Sequence, residues 1–198
     1  MSKAKKIDWR EYWPYVAMGV VSLVFLATTL KGKGKGNGAA LLVPDGGGLA
    51  PEDGSAIDFR DRTDLPRGMR NNNPGNIVQA ANDWRGKVPA GQNTDGKFEQ
   101  FETYQYGVRA MIVLLKNYID RYGLKTLSAI ITRWCSGGCD LNVYLQVMTQ
   151  TTGYAVNQPL SADREVLKRL VRGIAQVEQG GSREWISDGV FNQAWTML

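Results

Sequence analysis

Three consecutive asparagines followed by Pro-Gly and Asn-Ile, residues 71–77, cannot form the interior of a helix. Asparagine side chains bond to nearby backbone and tolerate left-handed conformations, Pro74 fixes φ, and Gly75 permits positive φ. The run therefore predicts a rigid turn that displays several amides, each with donor and acceptor groups. Amides in such an array match the hydroxyl and N-acetyl groups of a polar, uncharged ligand such as a glycan. A connecting turn without any ligand fits the same residues, and local chemistry alone leaves both open.

Composition narrows the chemistry. The 198 residues carry a formal charge of +5, much of it in two short tracts near the N-terminus, which gives no argument for nucleic acid. Histidine is absent. That removes the usual metal ligand and the usual neutral-pH base, so acid–base work falls to carboxylates, or less often to Lys, Tyr or Cys. No metal or cofactor is called for.

Residues 13–30 contain no charged side chain, and Val16 to Leu26 are strongly apolar. Trp9, Tyr12, Trp13 and Tyr15 crowd one end as an interfacial belt would, which predicts a transmembrane helix over 13–30 behind a short basic segment, 1–12. A cleaved signal peptide is the competing reading, because Lys3, Lys5 and Lys6 resemble its basic start. The long apolar run and the poor cleavage site at Ala27-Thr28-Thr29 favour a retained single-pass anchor. Lys3, Lys5, Lys6 and Arg10 against Lys31, Lys33 and Lys35 lean toward a C-terminal domain on the outer side. The lipid bilayer is then a partner, and other virion or membrane proteins are open as further ones. Alternating Lys and Gly from Lys31, Gly46-Gly47-Gly48, and a mixed-charge stretch without apolar period predict a flexible linker over 31–66.

The remainder, 67–198, reads as one domain. Asp95-Gly96 signals a hairpin, with Trp84, Phe98 and Phe101 as flanking apolar residues in a small β-like lobe of two or three short strands. From Tyr106 the apolar period becomes helical. Met111 to Tyr122 ends at Gly123, and Thr126 caps a helix that carries Leu127, Ile130, Ile131 and Trp134. Leu141 to Met148 stops at Gly153. Val166 to Val177 forms a long amphipathic helix ending at Glu178-Gln179-Gly180, and Val190 to Trp195 closes the chain. The fold class is mainly α, and these apolar stripes, Trp134 and Tyr144 included, are assigned to the core. Cys135 and Cys139 bracket Ser-Gly-Gly, and outside a reducing compartment they are expected to form a local disulfide; inside one they stay free thiols.

Arg70 to Ile77, then Trp84-x-Gly86, Phe98-x-x-Phe101-Glu-Thr and Tyr106-Gly-Val-Arg-Ala-Met, resembles a group of phage-encoded virion proteins of the lysozyme-like lytic transglycosylase superfamily. The similarity runs on through Tyr118, Leu124 to Leu127, Ile130 to Trp134, Asp140 and Tyr144 to Ile174 and Glu178, over about residues 67–195. The same succession is similar to bacterial cell-wall glucosaminidases. It implies a lysozyme-like domain that cleaves the peptidoglycan glycan strand between N-acetylmuramic acid and N-acetylglucosamine. It also implies Asn72, Asn73, Asn76 and Trp84 as residues that hold sugar.

Such chemistry needs a carboxylic acid of raised pKa to protonate the glycosidic oxygen. In lysozyme-like folds the acid ends a helix before the β-lobe, whereas here the Asn turn comes first. Glu178, at the end of its long helix, fits the role if the domain is circularly permuted; an ordinary solvated helix-end glutamate fits the sequence equally. Glu102 is the second candidate, against a reading in which it merely favours the start of the following helix. Asp140 reads as an N-cap. A non-catalytic virion protein that binds glycan through the same cleft is the alternative function.

Overall fold

The computed structural model describes residues 55–135, 138–180 and 185–198. They build a mainly helical domain of six α-helices: α1 (Arg67–Arg70), α2 (Tyr104–Asp120), α3 (Leu127–Trp134), α4 (Leu141–Thr152), α5 (Arg164–Gln179) and α6 (Asp188–Thr196). The helix starts follow side-chain chemistry. Thr103, Thr126, Asp140 and Ser187 each accept a backbone N–H from the first turn they precede, satisfying donors that the helix itself leaves open. Asp140 is thus a cap. Gly153 ends α4 in the left-handed region at φ 74°, where a Cβ would be strained.

α2 is the axis of the core. Val108, Met111, Ile112, Leu115 and Ile119 are buried on it, and it packs against α3, α5 and α6, while α4 lies on α3 and α5. The Tyr104 hydroxyl donates to the Trp185 carbonyl at 3.1 Å, so even the aromatic start of α2 has its polar atom satisfied. Burial of this apolar stripe supplies most of the stability of each helix.

Three expectations are corrected. The first is the membrane localisation. Among the described residues no helix is long and apolar enough to cross a membrane, so none of them supplies the expected single-pass anchor. The longest helix among the described residues, α2, has 17 residues and carries exposed Lys116 and Asp120 on its outer face, which marks it as amphipathic. The segment 13–30 itself lies outside the described residues, as does 31–54 of the expected linker.

The second concerns the end of that linker. Ile57 and Phe59 are in the core, 8% and 5% exposed. Ile57 accepts from the Tyr104 N–H at 2.8 Å and donates to the Gln105 side chain at 3.1 Å. The Phe59 ring meets Tyr104 edge-on at 5.1 Å. Residues 55–66 therefore belong to the folded domain, because their apolar side chains have a place to be buried.

The third concerns the lobe. Among the described residues it contains no strand, only two isolated antiparallel bridges, Val78 with Phe98 and Lys87 with Phe101. Side chains do the work that a ladder would do. Glu99, wholly buried, accepts from Lys87 Nζ at 2.8 Å and from the Ala80 N–H at 3.0 Å. Pairing is what allows a carboxylate at that depth.

Candidate active site

The Asn turn is held from within. Asn72, at φ 51° and wholly buried, accepts from the Phe59 N–H at 2.9 Å and donates to Asp58 at 2.8 Å and to the Phe101 carbonyl at 2.9 Å. Asn73, equally buried, exchanges bonds with Ile77 and donates to the Glu99 carbonyl. Asn71 links to Asp95 and Gln100. The expected sugar ligands Asn72 and Asn73 are thus corrected: their amides are committed to backbone that has no ladder to satisfy it. Replacing Asn72 with Ala would leave the Phe59 N–H and the Phe101 carbonyl unpaired. A loss of roughly 3 kcal/mol is expected at about 1–3 kcal/mol per orphaned group, and urea denaturation of the variant checks it.

Asn76 is different. It too is left-handed, at φ 49°, and only partly buried. Its Nδ2 donates to Glu178 Oε2 at 3.0 Å, across 102 positions of sequence. Glu178 lies in the last turn of α5. Its other oxygen accepts from the Tyr144 hydroxyl of α4 at 3.0 Å. Behind it, the Gln179 side chain donates to the Pro74 carbonyl at 2.7 Å and clamps the helix end to the turn. A Cβ on Gly68 would lie 2.3 Å from Gln179 Nε2 and 2.5 Å from Asn76 Oδ1, so α1 must be bare there for the turn and α5 to meet. The turn and the helix end thus form one unit.

Burial raises the Glu178 carboxyl above the usual carboxylate range, against the pull of Asn76 and Tyr144. The Trp134 indole adds to that pull, although its buried N–H makes no hydrogen bond of normal geometry. Desolvation penalises the charged form, and donors partly restore it. Tyr144 is itself held well above its ordinary value by burial and by the neighbouring Glu178 charge, so it stays a neutral donor. Removing it in Tyr144→Phe is expected to move the Glu178 titration further up, which carboxyl-carbon NMR reads directly. A fall, or no change, would remove Tyr144 from the site.

The other candidates lie elsewhere. Glu102 is exposed, with its N–H bonded to the Gly86 carbonyl. Trp84 packs on the core and lines a separate cavity of about 190 Å³ with Tyr118, Tyr122, Arg121 and Arg133. Cys135 and Cys139 form a disulfide just after Trp134. Tyr144 and Trp134, read from sequence only as core, are the residues that reasoning missed. The available signal was a hydroxyl and an indole N–H on buried faces, which must find partners.

Fold and site together define a mainly helical domain in which a desolvated carboxyl at a helix end faces a locked asparagine turn. No family model matches the chain. Over 120 residues it is 32% identical to Protein P5 of Pseudoalteromonas phage PM2, an alignment that spans 59% of this chain and 72% of that protein. The chain belongs to the family of this phage protein.

Proposed function

We propose that the chain is a peptidoglycan-cleaving lytic transglycosylase of a phage, built on a circularly permuted lysozyme-like plan, with Glu178 as its acid. The observation that carries this reading is the juxtaposition of Glu178 and Asn76, in which a carboxyl of raised pKa ends a helix beside a polar turn. A carboxyl that holds its proton more firmly than a free one is what protonation of a glycosidic oxygen calls for.

Glu178 gives its proton to the bridging oxygen as the bond to the muramoyl anomeric carbon breaks. The carboxylate so formed takes the proton of the muramoyl 6-hydroxyl, whose oxygen closes on the anomeric carbon. The products are a 1,6-anhydromuramoyl end and a free 4-hydroxyl, and Glu178 returns to its acid form. No second carboxylate is needed. The Asn76 amide would orient the acid and, when the carboxyl turns toward substrate, meet the sugar in its place.

One observation favours a second reading, a non-catalytic virion component that binds glycan. Both Glu178 oxygens already accept hydrogen bonds within the chain, as a purely structural carboxylate would. Release of soluble fragments from purified sacculi separates the two. The transglycosylase reading expects release by the parent protein, none by Glu178→Gln, and undiminished sedimentation of that variant with sacculi. Sedimentation without release by the parent would establish the second reading instead.

A further inference from the structure

A second cavity, of about 270 Å³, takes Asn71 of the asparagine turn into its wall but neither Asn76 nor Glu178. Arg60, Arg67 and Arg70 line it together with Asn71, Thr94, Asp95 and Gln100. Two of the three arginines are spoken for. Arg60 grips Asp58, and Arg67 makes a two-pronged bond with Asp95. Arg70 is not. Its guanidinium has no ion pair among the described residues, and its Nε is buried without any hydrogen-bond partner.

A buried, unpartnered guanidinium N–H is costly, and native proteins keep one where something else satisfies it. Asp95 does not serve that purpose. Its oxygens already accept from Arg67, Asn71, and the Lys97 and Phe98 N–H groups. Burial pushes the Asp95 carboxyl up, but these donors outweigh it and bring it down to about 2, so its charge is fixed and its lone pairs are used. Among the residues that line the cavity, three guanidinium groups stand against the single Asp95 carboxylate, while Asp58, Asp61 and Glu102 act on Arg60 from outside the lining.

We propose that this cavity is an oxyanion site that binds the phosphate of a small phosphomonoester carried on a sugar or polyol. Arginine presents a planar fork of donors that suits phosphate oxygens, and Arg70 has its fork unoccupied. The rest of the wall selects the carrier. Besides the Asp95 carboxylate, already engaged by its own donors, it offers amide and hydroxyl groups and no aromatic or aliphatic side chain, so a nucleobase finds no face to stack on. Those groups are also fixed in advance. Gln100 Nε2 donates to Asn71 at 2.9 Å and to Thr94 at 3.0 Å, and its oxygen accepts from the Thr94 N–H at 2.9 Å. A preformed wall costs little to order on binding. The volume exceeds that of a bare phosphate and leaves room for a carrier of a few carbons.

Calorimetric titration of the full chain tests this with inorganic phosphate, glucose 6-phosphate, glucose and adenosine monophosphate. Binding of both phosphate and glucose 6-phosphate is expected, the latter more tightly, with none for glucose. Adenosine monophosphate should bind no better than inorganic phosphate. Arg70→Gln should weaken glucose 6-phosphate by about tenfold, the loss of one charge-assisted bond. Arg60→Gln should weaken it in the same direction, which keeps the test valid if the Arg70 variant folds poorly. Arg62→Gln, whose residue is exposed and pairs with Asp64 outside the cavity, should leave it unchanged. Absence of phosphate binding, or equal weakening by the Arg62 and Arg70 variants, would overturn the site. Tighter binding of the nucleotide than of glucose 6-phosphate would overturn the assignment of its carrier.

Discussion

Glu178→Gln is expected to reduce glycan cleavage by on the order of 10²–10⁴-fold, the range for loss of a general acid, while making the protein more stable at neutral pH. The variant keeps the shape of the site. Its amide oxygen accepts from Asn76 and its amide nitrogen donates to Tyr144, whose hydroxyl can accept as well as donate. What changes is charge. The folded-state pKa of Glu178 lies above that of a free carboxyl because burial disfavours the ion. Between the unfolded and folded values the native state therefore binds more protons, and its stability falls as pH rises through that window. The glutamine variant lacks this fall. Its melting temperature should match the parent's at low pH, below both values, exceed it increasingly as pH rises between them, and keep a constant margin above the folded pKa. A melting-point difference that does not vary with pH would mean that the carboxyl is not desolvated. Stability and activity then trade against each other at one residue, as sites built for chemistry commonly require.

Gly107→Ala is expected to be the most damaging conservative change in the domain. A Cβ at Gly107 would lie 1.8 Å from the Asn72 carbonyl oxygen, 2.8 Å from its carbon and 3.3 Å from the Asn73 Cα. Neither partner can give. Gly107 is in the buried face of α2, and the turn is fixed by the Asn72 and Asn73 amides. A clash of backbone with backbone on this scale exceeds ordinary overpacking, and a loss above about 4 kcal/mol is expected. The variant should be unfolded, or should fold with the turn displaced and the Asn76–Glu178 bond broken. Gly91→Ala is the control. A Cβ there meets nothing within 4 Å, so its denaturation midpoint should stay at the parent value.

These two residues mark what local sequence reveals and what it conceals. The helices from Tyr104 onward were legible, since their apolar residues recur at helical spacing and Thr126, Asp140 and Gly153 punctuate them with known capping chemistry. Glu178 was legible as a carboxylate at the end of an amphipathic helix before glycine. Its partner was not. A contact across 102 positions depends on how α5 docks on the turn, and nothing local to either segment encodes that.

The asparagines misled for a related reason. Their amides suit a ligand or the chain's own backbone equally, and only burial decides. Asn72 and Asn73 turn inward because Phe59, Phe101, Ile77 and Glu99 present backbone groups that no strand pairs. Ile57 and Phe59 sit amid charges that read as linker. Two apolar residues spaced two apart are enough to anchor an extended segment once Tyr104 and Gln105 offer it partners.

The identity of the reaction products tests the assignment of Glu178 most directly. Mass spectrometry of soluble fragments from purified sacculi, after incubation with the full chain and with Glu178→Gln, reads the new glycan ends. The transglycosylase account expects 1,6-anhydromuramoyl ends from the parent and none from the variant. Ends carrying a reducing sugar, or anhydro ends released equally by Glu178→Gln, would contradict it.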